Sequence, residues 1–331
     1  MKIAVIGGGS WGLALSNVLS DNDHDVLVYD TNPKIIQKIN TLHICMQLDE
    51  NINPSIKATN NLEEAINFSH TILFVVPTKV LRIALGNVID ILSEPKLFIN
   101  AAKGIEPESF LRVSEIFDEM IPKKYLKGFV ALSGPSHAEE VIKGMTTVVT
   151  VASIVEEHAL FAQQLFHNND YFRVYSSTDL KGVELGGALK NIFALASGLI
   201  AGKGLGDNAR AALITRGLVE MEKFYISYGA DTKSLIGLTG VGDLIVTCTS
   251  PHSRNYQAGF KIGHGKDLEE TLASMTMVVE GIRTCDAAFK YALEHDLDLP
   301  IIAGIHSVLF DKLDPELAYQ KLFERSHKKE N

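Results

Sequence analysis

The feature that most limits how this chain can fold is the run Gly7-Gly8-Gly9-Ser10-Trp11-Gly12. It directly follows the β-branched stretch Lys2–Ile6 and directly precedes the helical apolar spacing of Leu13–Leu19. Glycines alone mark a turn, but a strand that ends in G-x-G-x-x-G and opens a helix is the first half of a βαβ unit that binds a dinucleotide. In such a unit Gly7 permits the tight turn, Gly9 lets the backbone approach a pyrophosphate, and Gly12 lets the helix pack on the strand. The free N–H groups and dipole of the helix N-terminus attract the phosphates.

The same alternation continues. Val26–Tyr29, Thr71–Val76 ahead of Pro77, Leu97–Asn100 and Phe129–Leu132 read as buried strands with helical segments between them. This predicts an α/β, Rossmann-type, mostly parallel sheet with right-handed crossovers. Thr146–Val151 and Tyr171–Val174 read as further strands that close the domain, running antiparallel to the rest. After Thr178 the pattern changes: Leu180–Leu199 and Asn208–Tyr228 are long amphipathic runs, and few strand signals follow. A chain of 331 residues with 46% hydrophobic residues divides into domains. The expected division is a dinucleotide-binding domain over 1–177 and an all-helical C-terminal domain, which binds substrate and carries catalysis, over 178–331. Ser326–Asn331 reads as a solvated, frayed end.

Charge and cysteine usage narrow the classes. A formal net charge of −9 disfavours a nucleic-acid surface and requires that an anionic substrate be met by a local cluster of cations. Cys45, Cys248 and Cys285 form no CxxC pair and no zinc-ligand spacing, so no metal is expected and a reducing, cytoplasmic setting is. The start lacks the apolar core of a secretory signal. No apolar stretch reaches the roughly 18 charge-free residues of a membrane span; the nearest, Ile192 to Ala201, stops at Gly202-Lys203.

Several residues point to chemistry. Asp30 ends the second strand at about the 20-residue spacing from which a carboxylate binds the adenosine ribose, which favours NAD over NADP; the other reading makes it a cap for the helix ahead of Pro33. Lys103 and the turn Ser133-Gly134-Pro135-Ser136-His137-Ala138 follow strands at their carboxyl ends, where open α/β sheets bind ligands. Lys190 lies in an otherwise apolar helix just after Gly186-Gly187. A partly desolvated lysine has a lowered pKa, the tuning suited to a general acid/base near neutrality. Asp243 is placed to hydrogen-bond Lys190, and Arg254, within Ser253-Arg254-Asn255, suits bidentate recognition of phosphate.

These motifs, with Ala-Lys-Gly at 102–104, Leu-Lys-Asn at 189–191, Leu-Gly-Asp-Asn-Ala-Arg-Ala-Ala-Leu-Ile-Thr-Arg-Gly at 205–217, Gly-Asp-Leu-Ile at 242–245 and Val-Glu-Gly at 279–281, resemble the bacterial NAD(P)-dependent glycerol-3-phosphate dehydrogenase family over nearly the whole chain. The resemblance implies reversible reduction of dihydroxyacetone phosphate to sn-glycerol 3-phosphate, a phospholipid precursor, by a homodimer using NAD or NADP. It implies Lys190 as the proton donor and acceptor, with Thr247 orienting it. Lys103, Gly134, Ser136, Asp243, Ser253, Arg254 and Asn255 match substrate positions. Ser10, Trp11, Lys103, Ala138, Arg254, Val278 and Glu280 match cofactor positions. Two places depart from the family pattern: His137 stands where the loop usually carries Phe, and Asp30-Thr31-Asn32 stands where many members carry basic or small residues suited to NADP.

Overall fold

The structure, a computed structural model, describes residues 1–275 and 278–324, so the expectation for Ser326–Asn331 lies outside the described residues. The first half runs β1 (Lys2–Ile6), α1 (Ser10–Asp21), β2 (Asp25–Tyr29), α2 (Pro33–Gln37), a short hairpin of β3 (Ile44–Cys45) and β4 (Glu50–Asn51), then β5 (Lys57–Thr59), α3 (Leu62–Phe68) and β6 (Thr71–Phe74). It continues with α4 (Leu81–Ile89), β7 (Lys96–Asn100), α5 (Val113–Met120), β8 (Leu126–Ser133), α6 (Ala138–Val141), β9 (Thr147–Ala152), α7 (Glu156–Phe166) and β10 (Phe172–Ser177).

Eight strands form one sheet in the order β10-β9-β8-β7-β6-β1-β2-β5. From β5 to β8 the pairings are parallel, β9 is antiparallel to β8, and β10 is parallel to β9. The two closing strands therefore run against the rest. The strands read as continuous apolar runs because helices cover both faces. In β1, Ile3 and Val5 enter one core cluster while Ala4 and Ile6 enter the other, which includes Phe74, Phe98 and Phe117. The chain leaves β1 toward β2 and β5, then crosses back to β6. The carboxyl ends of β1 and β6 therefore flank the topological switch point, where such sheets bind ligands.

The second half is helical: α8 (Leu180–Gly202), α9 (Gly206–Tyr228), α10 (Asp243–Thr249), α11 (Arg254–Gly263), α12 (Leu268–Ala273), α13 (Glu280–Glu294), α14 (Pro300–Phe310) and α15 (Pro315–Phe323). Helix α8 is apolar around most of its circumference and lies buried at the centre. By length and composition it could cross a membrane, a longer apolar helix than the Ile192–Ala201 stretch suggested, but 89% of that window is buried inside the protein. Helix α11 crosses it backbone to backbone. A Cβ on Gly198 would lie 2.1 Å from the Tyr256 carbonyl oxygen, and one on Gly259 would lie 2.0 Å from that of Leu195.

The two halves are tied by a buried ion pair. Arg112, which caps α5, donates from Nη1 to Glu184 Oε2 at 2.6 Å. Ser114 donates to the same carboxylate from its backbone N–H at 2.7 Å and its hydroxyl at 2.6 Å. Such a pair is costly to break because either partner alone is a buried, uncompensated charge.

Candidate active site

A cleft of about 720 Å³ opens along the carboxyl ends of β1 and β6 and reaches the helical half. At its centre is the glycine turn. Gly7 has φ +116° and Gly12 would place a Cβ 2.0 Å from the Gly7 carbonyl oxygen, so both positions exclude a side chain. Gly9 differs: a Cβ there meets nothing within 4 Å, and the residue lines the cleft. The turn thus holds open a backbone cradle beside the start of α1, which fits a pyrophosphate. Ser10 and Trp11 line it.

Asp30 lies at one end of the cleft with Tyr29 and Thr31. Its Oδ2 accepts from the Gly8 N–H at 2.8 Å and its Oδ1 from the Asn32 N–H at 2.8 Å. The capping reading falls instead to Asn32, whose side chain accepts from the Lys34 N–H at the start of α2. The same end is walled by Leu62, Val80, Ile83, Ala84 and Asn87, which the sequence reading did not single out. The available signal was local: α4 begins just past Pro77 at the carboxyl end of β6, and Val80 and Ile83 are apolar yet exposed.

At the other end a lysine pair shares one carboxylate. Lys190, buried on α8, donates from Nζ to Asp243 Oδ1 at 2.5 Å and to Thr247 Oγ1 at 2.8 Å. Lys103, from the loop after β7, donates to Asp243 Oδ2 at 2.9 Å and to the Gly134 carbonyl at 3.2 Å. Asp243 and Thr247 are four residues apart on α10 and so share a face. The Thr247 hydroxyl donates to the Asp243 carbonyl at 2.6 Å, which turns its lone pair toward Lys190. An ammonium has three N–H donors; two are used here, and one is left for the cleft.

Burial pulls the Lys190 pKa down from 10.5 to about 8, with Lys103 adding to the fall and Asp243 opposing it. For Asp243, burial pushes the carboxyl up, but the charges and hydrogen bonds of Lys103 and Lys190 outweigh it and hold the group below the usual carboxylate range. The site is therefore an anion between two cations, one of which is poised to exchange its proton near neutrality. Gly186 and Gly187, just before Lys190, admit protein rather than ligand: a Cβ would lie 2.3 Å from the Thr239 carbonyl oxygen and 2.6 Å from Ser133 Oγ, respectively.

The start of α11 supplies the remaining groups. Ser253 caps the helix by accepting from the Tyr256 N–H. Arg254 Nη2 donates to Ser10 Oγ at 3.0 Å, which brings the guanidinium to the glycine turn. Asn255 lines the cleft and also ties the helices around it: its amide donates to Asn191 at 2.9 Å and accepts from the Gly281 N–H at 2.9 Å, aligning α8, α11 and α13. Glu280 accepts from the Thr78 N–H at 3.1 Å and hydroxyl at 2.6 Å, joining the halves across the cleft. Burial raises the Glu280 pKa against those two bonds. Ser136 donates to the Gly134 carbonyl at 3.1 Å, and Ser136, Ala138 and Val278 line the cleft. Burial, then Lys190, lowers the His137 pKa, so its ring is neutral at neutral pH. Asn191, Thr78 and His252 reach the site without having been singled out; Thr78 and Glu280 are 202 residues apart, a separation that spacing cannot reveal. Among the described residues no group of three or more His, Cys, Asp or Glu could hold a metal ion.

Comparison with known proteins agrees across the chain. The NAD-dependent glycerol-3-phosphate dehydrogenase N-terminus family matches residues 2–159 and the corresponding C-terminus family matches residues 179–320. The chain is 47% identical to a glycerol-3-phosphate dehydrogenase [NAD(P)+] of Acholeplasma laidlawii, covering 100% of this chain and 99% of that one. It is 49% identical to one of Bacillus cereus, covering 99% and 97%. The solved glycerol-3-phosphate dehydrogenase of Coxiella burnetii superposes with a TM-score of 0.92 at 32% identity over 98% of this chain and 99% of that one. A D-mandelate dehydrogenase shares the fold alone, with a TM-score of 0.61 at 14% identity, so the fold by itself does not select a substrate.

Proposed function

The chain belongs to the NAD-dependent glycerol-3-phosphate dehydrogenase family, and on that premise we propose how its residues carry out the reversible reduction of dihydroxyacetone phosphate to sn-glycerol 3-phosphate. The observation that carries the reading is Lys190, a buried lysine with a pKa near 8 whose ammonium is held by Asp243 and Thr247 at the end of a nucleotide cleft. Gly7, Gly9 and Gly12 hold the pyrophosphate, and Ser10, Trp11, Ala138, Val278 and Glu280 wall the nicotinamide half. Bound in the cleft, the nicotinamide supplies the hydride in ketone reduction and accepts it in alcohol oxidation.

In the reducing direction Lys190 points its remaining N–H at the carbonyl oxygen and gives up a proton as charge develops there. In the oxidising direction the neutral amine takes the hydroxyl proton. Asp243 and Thr247 fix the Nζ position, and Lys103 balances the charge of Asp243 from the opposite side. Arg254, with Ser253 and Ser136, anchors the substrate phosphate, and Asn255 holds the three helices that set these distances. Gly134 shapes the turn that presents Ser136. Asp30 selects NAD, because an anion fixed at the ribose end repels the extra phosphate of NADP. The reading places the enzyme in the cytoplasm, supported by three free buried cysteines, as a homodimer feeding phospholipid synthesis, supported by the family resemblance. The test is initial rates of NADH oxidation: activity with dihydroxyacetone phosphate and none with a 2-keto acid is expected, and the reverse preference overturns the reading.

A further inference from the structure

His137 lies in the cleft wall at the turn from β8 into α6, yet no step of that reaction uses it. Its ring centroid is 5.9 Å from that of His252, which sits beside Ser253 and Arg254 in the segment that opens α11. Its Nε2 is sealed from solvent and has no hydrogen-bond partner among the described residues, whereas Nδ1 is not sealed. A buried N–H without an acceptor is rarer and more costly than a bare lone pair. A neutral ring in this setting therefore carries its proton on Nδ1 and leaves the sealed Nε2 bare.

We propose that His137 is a substrate-contacting residue whose Nδ1–H donates to an oxygen of the substrate phosphate, on the Arg254 side of the cleft. The proposal rests on the reading of this cleft as the dihydroxyacetone phosphate site. The ring shares the cleft wall with Ser136, Ser253 and Arg254, the groups assigned to the phosphate, while Lys190 keeps its own remaining donor for the reacting oxygen. Burial and the Lys190 charge keep the imidazole neutral, against the pull of Glu139, Asp243 and Glu140. It therefore acts as a fixed donor rather than as a second cation. A phenylalanine at this position would offer a ring of similar size and no donor, so the contact depends on the imidazole itself.

The test compares His137→Phe, His137→Asn and His137→Gln in the full-length enzyme. The readouts are KM for dihydroxyacetone phosphate, competitive inhibition by inorganic phosphate, kcat, and NADH affinity from fluorescence quenching. Asparagine places an amide where Nδ1 was, and glutamine places one where Nε2 was. The phenylalanine and glutamine variants should raise KM and the phosphate inhibition constant together by about tenfold, the loss of one hydrogen bond to a charged group. Their kcat and NADH affinity should stay unchanged, and the asparagine variant should return most of the loss. Unchanged KM in His137→Phe, equal losses for the asparagine and glutamine variants, or a change confined to NADH affinity would each overturn the proposal. A wild-type enzyme inactive on dihydroxyacetone phosphate would instead overturn the assignment of the reaction.

Discussion

Replacing Asp243 by asparagine keeps the shape of the side chain and removes the charge that Lys190 and Lys103 share. The two ammonium groups, held at 2.5 and 2.9 Å from opposite oxygens of a carboxylate that is 1% exposed, would then face each other across a neutral amide. Stripping one partner from a buried ion pair costs roughly 3–5 kcal/mol. The protein can relieve much of that by letting Lys190 lose its proton. In the wild type, burial already holds that pKa near 8 while Asp243 pulls upward; without the carboxylate it should fall further. Less of the lysine would then be protonated at neutral pH, and with the loss of orientation the reduction rate should drop by about 10²–10³. The assay is kcat/KM in both directions from about pH 5.5 to about pH 9.5. Ketone reduction needs the ammonium, so in the wild type it should fall as pH rises through about 8. Alcohol oxidation needs the neutral amine and should rise through the same range. In Asp243→Asn the falling limb of reduction should move to lower pH. A limb that stays in place would refute the claim that this carboxylate sets the proton affinity of Lys190.

Further outcomes follow from the cleft. Gly9→Ala places its methyl in open space, so the melting temperature should hold while NADH binding, followed by fluorescence titration, weakens by tenfold or more, roughly. Gly12→Ala puts a Cβ 2.0 Å from the Gly7 carbonyl oxygen and should lower both the melting temperature and NADH binding. Equal effects of the two substitutions on stability would contradict the division between packing and ligand approach. Asp30→Ala frees the Gly8 and Asn32 N–H groups and removes the anion at the ribose end. The ratio of kcat/KM for NADPH over NADH should rise by roughly tenfold or more, and an unchanged ratio would remove Asp30 from cofactor choice.

What the sequence made legible was local or was carried by burial. The glycine turn could be read because its main demands are local: Gly7 takes φ +116°, and a Cβ on Gly12 would lie 2.0 Å from the Gly7 carbonyl oxygen. The parallel strands could be read because burial on both faces leaves them almost wholly apolar. Lys190 could be read because a cation in an apolar helix needs a reason. The rest depends on contacts between distant segments. Lys103 sharing Asp243 spans 140 positions, and the commitment of the Asn255 amide to Asn191 and Gly281 appears only once α8, α11 and α13 are packed. The two-residue strands β3 and β4 are too short to leave a period. Asp30 had two readings in sequence; the fold gives the cap of α2 to Asn32, and the ribose reading is the one the cofactor assay tests.

The central claim is that Lys190 carries the proton while the glycine turn, at a different place in the same cleft, holds the nucleotide. Lys190→Ala tests this directly, with kcat for dihydroxyacetone phosphate reduction and NADH affinity measured on the same preparation. Turnover should fall by about 10²–10⁴ with NADH affinity nearly unchanged. Turnover at the wild-type level would contradict the account.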